Sequence, residues 1–120
     1  MSTAPDCLFC AIVAGRVPAQ VVYENRTTLV FRDISPRTPT HLLIIPKTHY
    51  ETLAELAAAD PQELADLFVA AGHSASAEQV AASGYRLISN VGPDSGQEVP
   101  HVHLHLLGGT NLGGLVAPPG

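Results

Sequence analysis

The sequence predicts an α+β fold: about five short antiparallel strands in a meander, one long helix on a face, and a shorter helix at the N-terminus. Three observations carry this expectation. Short β-branched and apolar runs alternate with turn-forming residues. One long stretch repeats its apolar residues at the helical period behind a helix-start signal. And His101-Val102-His103-Leu104-His105-Leu106-Leu107 alternates between imidazole and apolar side chains, the period of a strand.

In chain order, Cys7 to Ala14 reads as a short packed helix stopped by Gly15. Val21-Val22-Tyr23 and Thr28-Leu29-Val30-Phe31 flank the polar Glu24-Asn25-Arg26-Thr27, which predicts an antiparallel hairpin. Asp33 to Thr40 holds two prolines and is a loop. His41-Leu42-Leu43-Ile44-Ile45 is a continuous apolar run, expected to be buried on both faces apart from its first residue and closed by Pro46. Asp60-Pro61-Gln62-Glu63 combines an N-cap, a proline in the first helical position and a glutamate three residues after the cap. The helix it opens is expected to run from Pro61 to Ala82, about 33 Å long, and to stop at Ser83-Gly84. Leu64, Leu67, Phe68, Ala71 and Ala75 share its apolar face, while His73 falls opposite, in solvent. Tyr85 to Ser89 is a further strand, and the histidine strand follows, entered through Val99-Pro100 and ended by Gly108-Gly109.

Composition narrows the function. With 120 residues, 46% hydrophobic and 14% charged, the chain fits a single domain over 1–120, with its core over 7–109 and a tail over 110–120. A formal charge of −5, one lysine and scattered arginines provide no basic stripe, so a nucleic acid polymer is not the expected partner. The apolar run Cys7 to Ala14 is too short for a membrane span and lacks the basic lead of a signal peptide, so a cytoplasmic location is expected. Two cysteines in a Cys-x-x-Cys spacing do not make a secreted disulfide framework.

On a strand, His101, His103 and His105 line one face while Val102, Leu104 and Leu106 enter the core from the other. An imidazole can attack an electrophile when neutral and give up a proton when charged, and a row of them suits phosphoryl transfer. The glycine-rich approach Gly92 to Gln97 can offer backbone N–H groups to phosphate oxygens, with Asn90 and Gln97 as neutral donors. The run resembles the signature of the histidine-triad (HIT) family, His-φ-His-φ-His-φ-φ. Asp33-Ile34-Ser35-Pro36, Pro39-Thr40-His41, Ile45-Pro46-Lys47-Thr48-His49, Ser89-Asn90-Val91-Gly92 and Gly96-Gln97-Glu98-Val99 resemble its Hint branch, in the same order.

The resemblance implies a HIT-like fold and attack on the α-phosphorus of a purine nucleotide, most simply the hydrolysis of adenosine phosphoramidates to AMP. It makes His103 the nucleophile of a nucleotidyl-histidine intermediate. His105 becomes the α-phosphate contact and a candidate for protonating the leaving group, and His41 a supporting member of the cluster. Asp33 would accept from the ribose hydroxyls, with Ile34 beside the base, and Asn90, Gly96 and Gln97 match nucleotide-contacting positions. Glu98 departs from the serine of the better-studied eukaryotic pattern; the tail from Asn111 to Gly120 lacks their tryptophan, which leaves the leaving-group preference open.

By the same resemblance, no metal enters the chemistry, but Cys7, Cys10, His49 and His101 can complete a closed, structural zinc shell. That would take His101 out of proton transfer. A homodimer whose sheets join is also implied. The competing readings are a dinucleoside polyphosphate hydrolase or nucleotidyl transferase, a non-catalytic nucleotide-binding scaffold, and a catalytic metal held by His101, His103 and His105. Three same-face strand positions span about 13 Å, too far for one ion.

Overall fold

The computed structural model describes residue 4 and residues 6–116; the last four residues of the expected tail lie outside that range. The elements are α1 (Leu8–Val13), β1 (Val21–Glu24), β2 (Thr28–Arg32), β3 (Thr40–Pro46), α2 (Leu53–Ala59), α3 (Pro61–Ala77), β4 (Tyr85–Ser89), a 3-10 turn at Pro93–Ser95, and β5 (Leu104–Gly108). The strands form one five-stranded antiparallel sheet, so the α+β expectation holds. Its order, β1-β2-β3-β5-β4, is a meander only as far as β3. The chain then crosses through α2 and α3 to lay β4 on the far edge, and β5 returns between β3 and β4. The histidine-bearing strand is therefore central rather than last in line.

The sheet separates two apolar layers. Val30, Leu42, Ile44, Val102, Leu104 and Leu106 face α2 and α3, packing on Leu56, Leu67, Ala70, Ala71 and Ala75. Leu29, Phe31, Leu43 and Ile45 face α1, packing on Cys7, Phe9 and Cys10. Because β3 sits between both layers, every residue of it is buried, which is why it reads as an unbroken apolar run. That includes His41, 6% exposed, against the expectation that this first residue escapes burial.

Helix α3 opens as expected: Asp60 accepts from the Glu63 N–H at 3.0 Å and Pro61 takes the first position. Glu63 does not return the bond, because the Asp60 N–H already donates to Leu56 O at 2.8 Å where α2 runs directly into α3. The helix stops at Ala77, five residues short of the expected end at Ala82. Arg32 grips the Glu78 carboxylate at 2.6 and 2.9 Å, and Gln79 turns left-handed with φ 62°. A non-glycine residue taking that turn leaves no stop signal in the sequence. Phe68 is 47% exposed rather than core-facing, since the buried stripe centres on Leu67, Ala71 and Ala75. His73 is exposed as expected, its ring resting 4.4 Å from that of Tyr23. Helix α2 is an addition to the expected elements, although Thr52 and Glu55 form a recognisable cap: the Thr52 side chain accepts from the Glu55 N–H at 3.2 Å.

Candidate active site

The alternation at residues 101–107 holds beyond the strand that was expected to contain it. Strand β5 begins only at Leu104, paired with Ile44. Carrying the register two residues back sets Val102 against Pro46, which has no N–H and whose carbonyl is taken by the His101 ring at 2.8 Å. The Val102 N–H goes instead to Tyr50 O at 2.7 Å, and the His101 N–H folds back to Val99 O at 2.8 Å. His101 and His103 thus stand on a pinned, extended approach, and His105 on the strand. Val102, Leu104 and Leu106 still enter the helix-side core, so the three imidazoles share the α1 side.

They do not act on one point. His101 is wholly buried and joins Cys7, Cys10 and His49. Its Nδ1 lies 3.4 Å from Cys7 Sγ, 3.6 Å from Cys10 Sγ and 3.2 Å from His49 Nδ1, while Cys10 Sγ lies 3.4 Å from His49 Nδ1. A tetrahedral zinc with ordinary bond lengths has ligand edges of about 3.3 Å between nitrogens and about 3.6 Å between nitrogen and sulfur, so these spacings fit a Cys₂His₂ shell. The outer contact fits as well. His101 Nε2–H donates to Pro46 O, which leaves Nδ1 as a lone pair facing the sulfurs. Burial is the main cause pushing the His101 pKa down to about 4, so in the metal-free protein the ring is neutral.

His105 joins a different group, Asp33 and His41. By distance alone this group is also able to hold an ion, but its hydrogen bonds favour another use. The Arg37 backbone N–H donates to His41 Nδ1 at 3.1 Å, so the neutral His41 ring carries its proton on Nε2. That proton points at His105 Nδ1, 2.9 Å away, with Asp33 Oδ2 at 3.5 Å. His105 Nδ1 is then the acceptor, and its own proton sits on Nε2. In the zinc-type cluster the outer partner accepts and frees a lone pair; here it donates and keeps a proton in the middle. Burial, ahead of all other causes, lowers the pKa of both rings, that of His105 to about 4, with His103 and His41 as further lowering influences on His105.

His103 completes the arrangement. Its Nδ1 lies 2.8 Å from His101 O, a carbonyl that can only accept, so Nδ1 carries a proton and, in the neutral ring, Nε2 has the lone pair. The ring is 7% exposed and meets the His105 ring at a centroid distance of 5.2 Å. The site therefore sets an imidazole lone pair beside an imidazole N–H, the pairing needed to attack a phosphorus and to hold one of its oxygens.

The remaining sequence-designated residues are distributed as follows. Asp33 leaves β2 half-buried, with Oδ1 accepting from the Ser35 N–H at 2.8 Å, and Ile34 beside it is 96% exposed. Asn90 and Gln97 brace the glycine-rich loop: Asn90 Nδ2 donates to Ser95 O at 2.7 Å, and Gln97 accepts from the Gly92 N–H at 2.9 Å while donating to Glu51 O and Val99 O. Three of the loop N–H groups expected to serve phosphate, those of Gly92, Ser95 and Gly96, are spent inside the loop. Gly96 takes φ 82°, a turn that favours glycine, and Glu98 is solvent-exposed. Two participants carry no chemical signal in the sequence: Arg37 contributes a backbone N–H, and Phe9, between the cysteines, reads simply as core. A hollow of about 820 Å³, lined by Glu78, Ser83, Arg86 and Asn111 among others, contains none of the histidines. Donor chemistry rather than concavity marks this site.

Fold and site together define a small α+β protein with hydrogen-bonded imidazoles on a central strand and on the extended segment that leads into it. The HIT domain family matches residues 14–112. The chain is 41% identical over 117 residues to the purine nucleoside phosphoramidase of Escherichia coli K12, covering 98% of each. A HIT family hydrolase from Clostridium thermocellum superposes with a TM-score of 0.91 at 39% identity, covering 96% of this chain and 100% of that one. A HIT family hydrolase from Legionella pneumophila superposes with a TM-score of 0.86 at 49% identity, with the same coverage. The chain belongs to the HIT domain family. No helix among the described residues is long and apolar enough to cross a membrane.

Proposed function

We propose that this protein is a nucleotide hydrolase that cleaves the P–N bond of purine nucleoside phosphoramidates through a nucleotidyl-histidine intermediate, releasing the nucleoside monophosphate. The observation that carries the reading is the 2.8 Å contact from His103 Nδ1 to His101 O, which in the neutral ring makes Nε2 the nucleophilic nitrogen. The whole-length identity to a purine nucleoside phosphoramidase supports the substrate class.

In the first step the Nε2 lone pair forms an N–P bond, and the P–N bond to the leaving amine breaks with its electron pair. The amine takes up a proton from solvent. In the second step a water oxygen bonds to phosphorus, the pair returns to Nε2, and the water's proton leaves to solvent. His105 Nε2–H donates to an α-phosphate oxygen as charge gathers there. Of the two roles expected for His105, the tautomer chain supports this one. Protonating its Nδ1 would set an N–H against the His41 N–H, so it acts as a fixed donor rather than an acid. Asp33 accepts from the ribose hydroxyls with the lone pairs that Ser35 leaves open, and Ile34 offers an apolar surface to the base. Asn90, Gly96 and Gln97 shape the loop over the phosphate, and Glu98 follows them in the chain, exposed to solvent.

Cys7, Cys10, His49 and His101 would hold zinc with four protein ligands, which leaves no open position and gives the ion a structural role. The working protein is a cytoplasmic homodimer. Rapid quench with nucleotide-labelled phosphoramidate tests the reading: label on His103 within the first turnover is expected. Faster turnover of a dinucleoside tetraphosphate would move the assignment to a polyphosphate hydrolase or nucleotidyl transferase. Tight binding with neither product nor label would leave a nucleotide-binding scaffold.

A further inference from the structure

Between the two cysteines of α1 stands Phe9, 4% exposed. Its ring meets that of His103 in a T-shaped contact, with centroids 5.1 Å apart and planes at 81°, and that of His101 at 5.8 Å and 79°. His105 meets the His103 ring at 5.2 Å and 74°. We propose that Phe9 is a positioning residue for the nucleophile: delivered by the cysteine-bearing helix, its ring clamps the His103 imidazole so that Nε2 points at phosphorus throughout the reaction. The proposal deepens the reading of His103 as nucleophile and rests on it.

Rotation about the last side-chain bond of a histidine is broad, and among the described residues one hydrogen bond, from Nδ1 to His101 O, is the polar restraint on this ring. A half-turn would exchange the lone pair for a C–H and end the reaction. Phe9 packs against the ring perpendicular to its plane and occupies the space that such rotation needs. Attack converts the ring into an N-phosphoryl imidazolium, which must hold its orientation until water arrives, and displacement of about 1 Å in such a geometry costs about 10²-fold in rate.

Helix α1 has six residues, too short to hold its own register. Its register is held by packing of Phe9, Ile12 and Val13 in the sheet's apolar layer and by the contacts of Cys7 and Cys10 with His101 and His49, at 3.4 to 3.6 Å. That packing and the cysteine cluster thus place Phe9, and Phe9 places the ring two residues beyond His101. A Cys-x-Phe-Cys segment serves as a fastener on the nucleophile.

The test compares Phe9→Leu with Leu29→Ala. Leu29 belongs to the same apolar layer and is 4% exposed. Two quantities are read in the full-length protein: the rate constant for labelling His103 under rapid quench, and the ¹⁵N signals of the His103 ring. In Phe9→Leu the labelling rate should fall about 10- to 100-fold with KM within about threefold, and the ring should change from a single Nδ1–H tautomer to an average of two. Leu29→Ala should lower the melting temperature by as much yet keep the labelling rate within about twofold and the single tautomer. A Phe9→Leu protein with wild-type labelling and an unchanged tautomer would overturn the proposal. So would an equal loss in Leu29→Ala. If the wild-type protein forms no label, the nucleophile assignment itself fails, and the nitrogen signals still decide whether Phe9 orders the ring.

Discussion

Replacing His41 by leucine tests the tautomer chain at its middle link. The change removes the donor to His105 Nδ1, at 2.9 Å, and the acceptor of the Arg37 N–H, at 3.1 Å. His105 then loses the contact that holds its proton on Nε2. A misplaced donor at a phosphoryl site costs about 10²-fold, so kcat should fall by about that factor while KM changes little. His41→Gln separates geometry from volume, because an amide can accept from Arg37 with its oxygen and donate to His105 with its nitrogen; it should retain activity within about tenfold of wild type. The pH profile gives a second reading. In the unliganded protein the His105 pKa lies at about 4, so the ring is neutral above that value and kcat/KM should show no titration of His105 near neutrality. His41 is one of the influences lowering that pKa, so in His41→Leu the value moves up. Steady-state kinetics across pH, with ¹⁵N spectra of His105, measure both. Wild-type kcat in His41→Leu, or a Gln variant as impaired as the Leu variant, would refute the chain.

His103→Ala should remove the covalent label and lower turnover by about 10³-fold or more in protein that remains folded; labelling at another histidine would move the nucleophile. Asp33→Asn should raise KM by about tenfold with a smaller effect on kcat, checked by comparing ribo- and 2′-deoxyribo-substrates, which the variant should distinguish less. Cys10→Ser should lower bound zinc from near one per chain toward zero and lower the melting temperature by several degrees; elemental analysis and calorimetry decide, and a wild-type protein purified without chelator yet free of metal would refute the ligand set. In chelated protein the buried neutral His101, with a pKa of about 4 against 6.5 when unfolded, makes stability fully present above pH 6.5 and lost as pH falls toward 4. Its share between about pH 7 and pH 5 is about 2 kcal/mol, and urea titrations at the two pH values that agree would contradict the burial argument.

What could be read from the sequence depended on whether a side chain announces its own surroundings. The strands could be read because 28–31 and 41–45 are short β-branched or apolar runs between turn residues and Val102, Leu104 and Leu106 alternate with histidines, and the start of α3 because Asp60 and Pro61 act locally. Its end could not, since it depends on Arg32 reaching Glu78 across 46 residues and on Gln79 accepting a left-handed turn. The position of β5 in the sheet is likewise a property of the crossing through α2 and α3. At the site, the residue types that do chemistry were visible: His41, His101, His103 and His105 for their alternation and motif context, Cys7 and Cys10 for their spacing. The groups that assign protons were not. Arg37 acts through its backbone and Phe9 through its shape, and neither leaves a residue-type signature.

The division of labour among three histidines on one face follows from where β3 stops. Opposite Leu104 the sheet is regular; two residues earlier Pro46 ends the ladder and offers a bare carbonyl. His101 takes that carbonyl with Nε2 and so must face the cysteines with Nδ1. Freed of ladder duty, the His101 carbonyl accepts from His103 Nδ1 and leaves its neighbour nucleophilic. Within the ladder, His105 is opposite Leu43, two residues on from His41, and meets His41 rather than any carbonyl, so it receives a proton where the other two give one. Pro46→Ala should let the ladder extend, and the resulting competition for residue 46's carbonyl should loosen His101 before it affects His105. Nitrogen spectra of the three rings would show that order, and simultaneous change in all three would show the boundary to be set elsewhere.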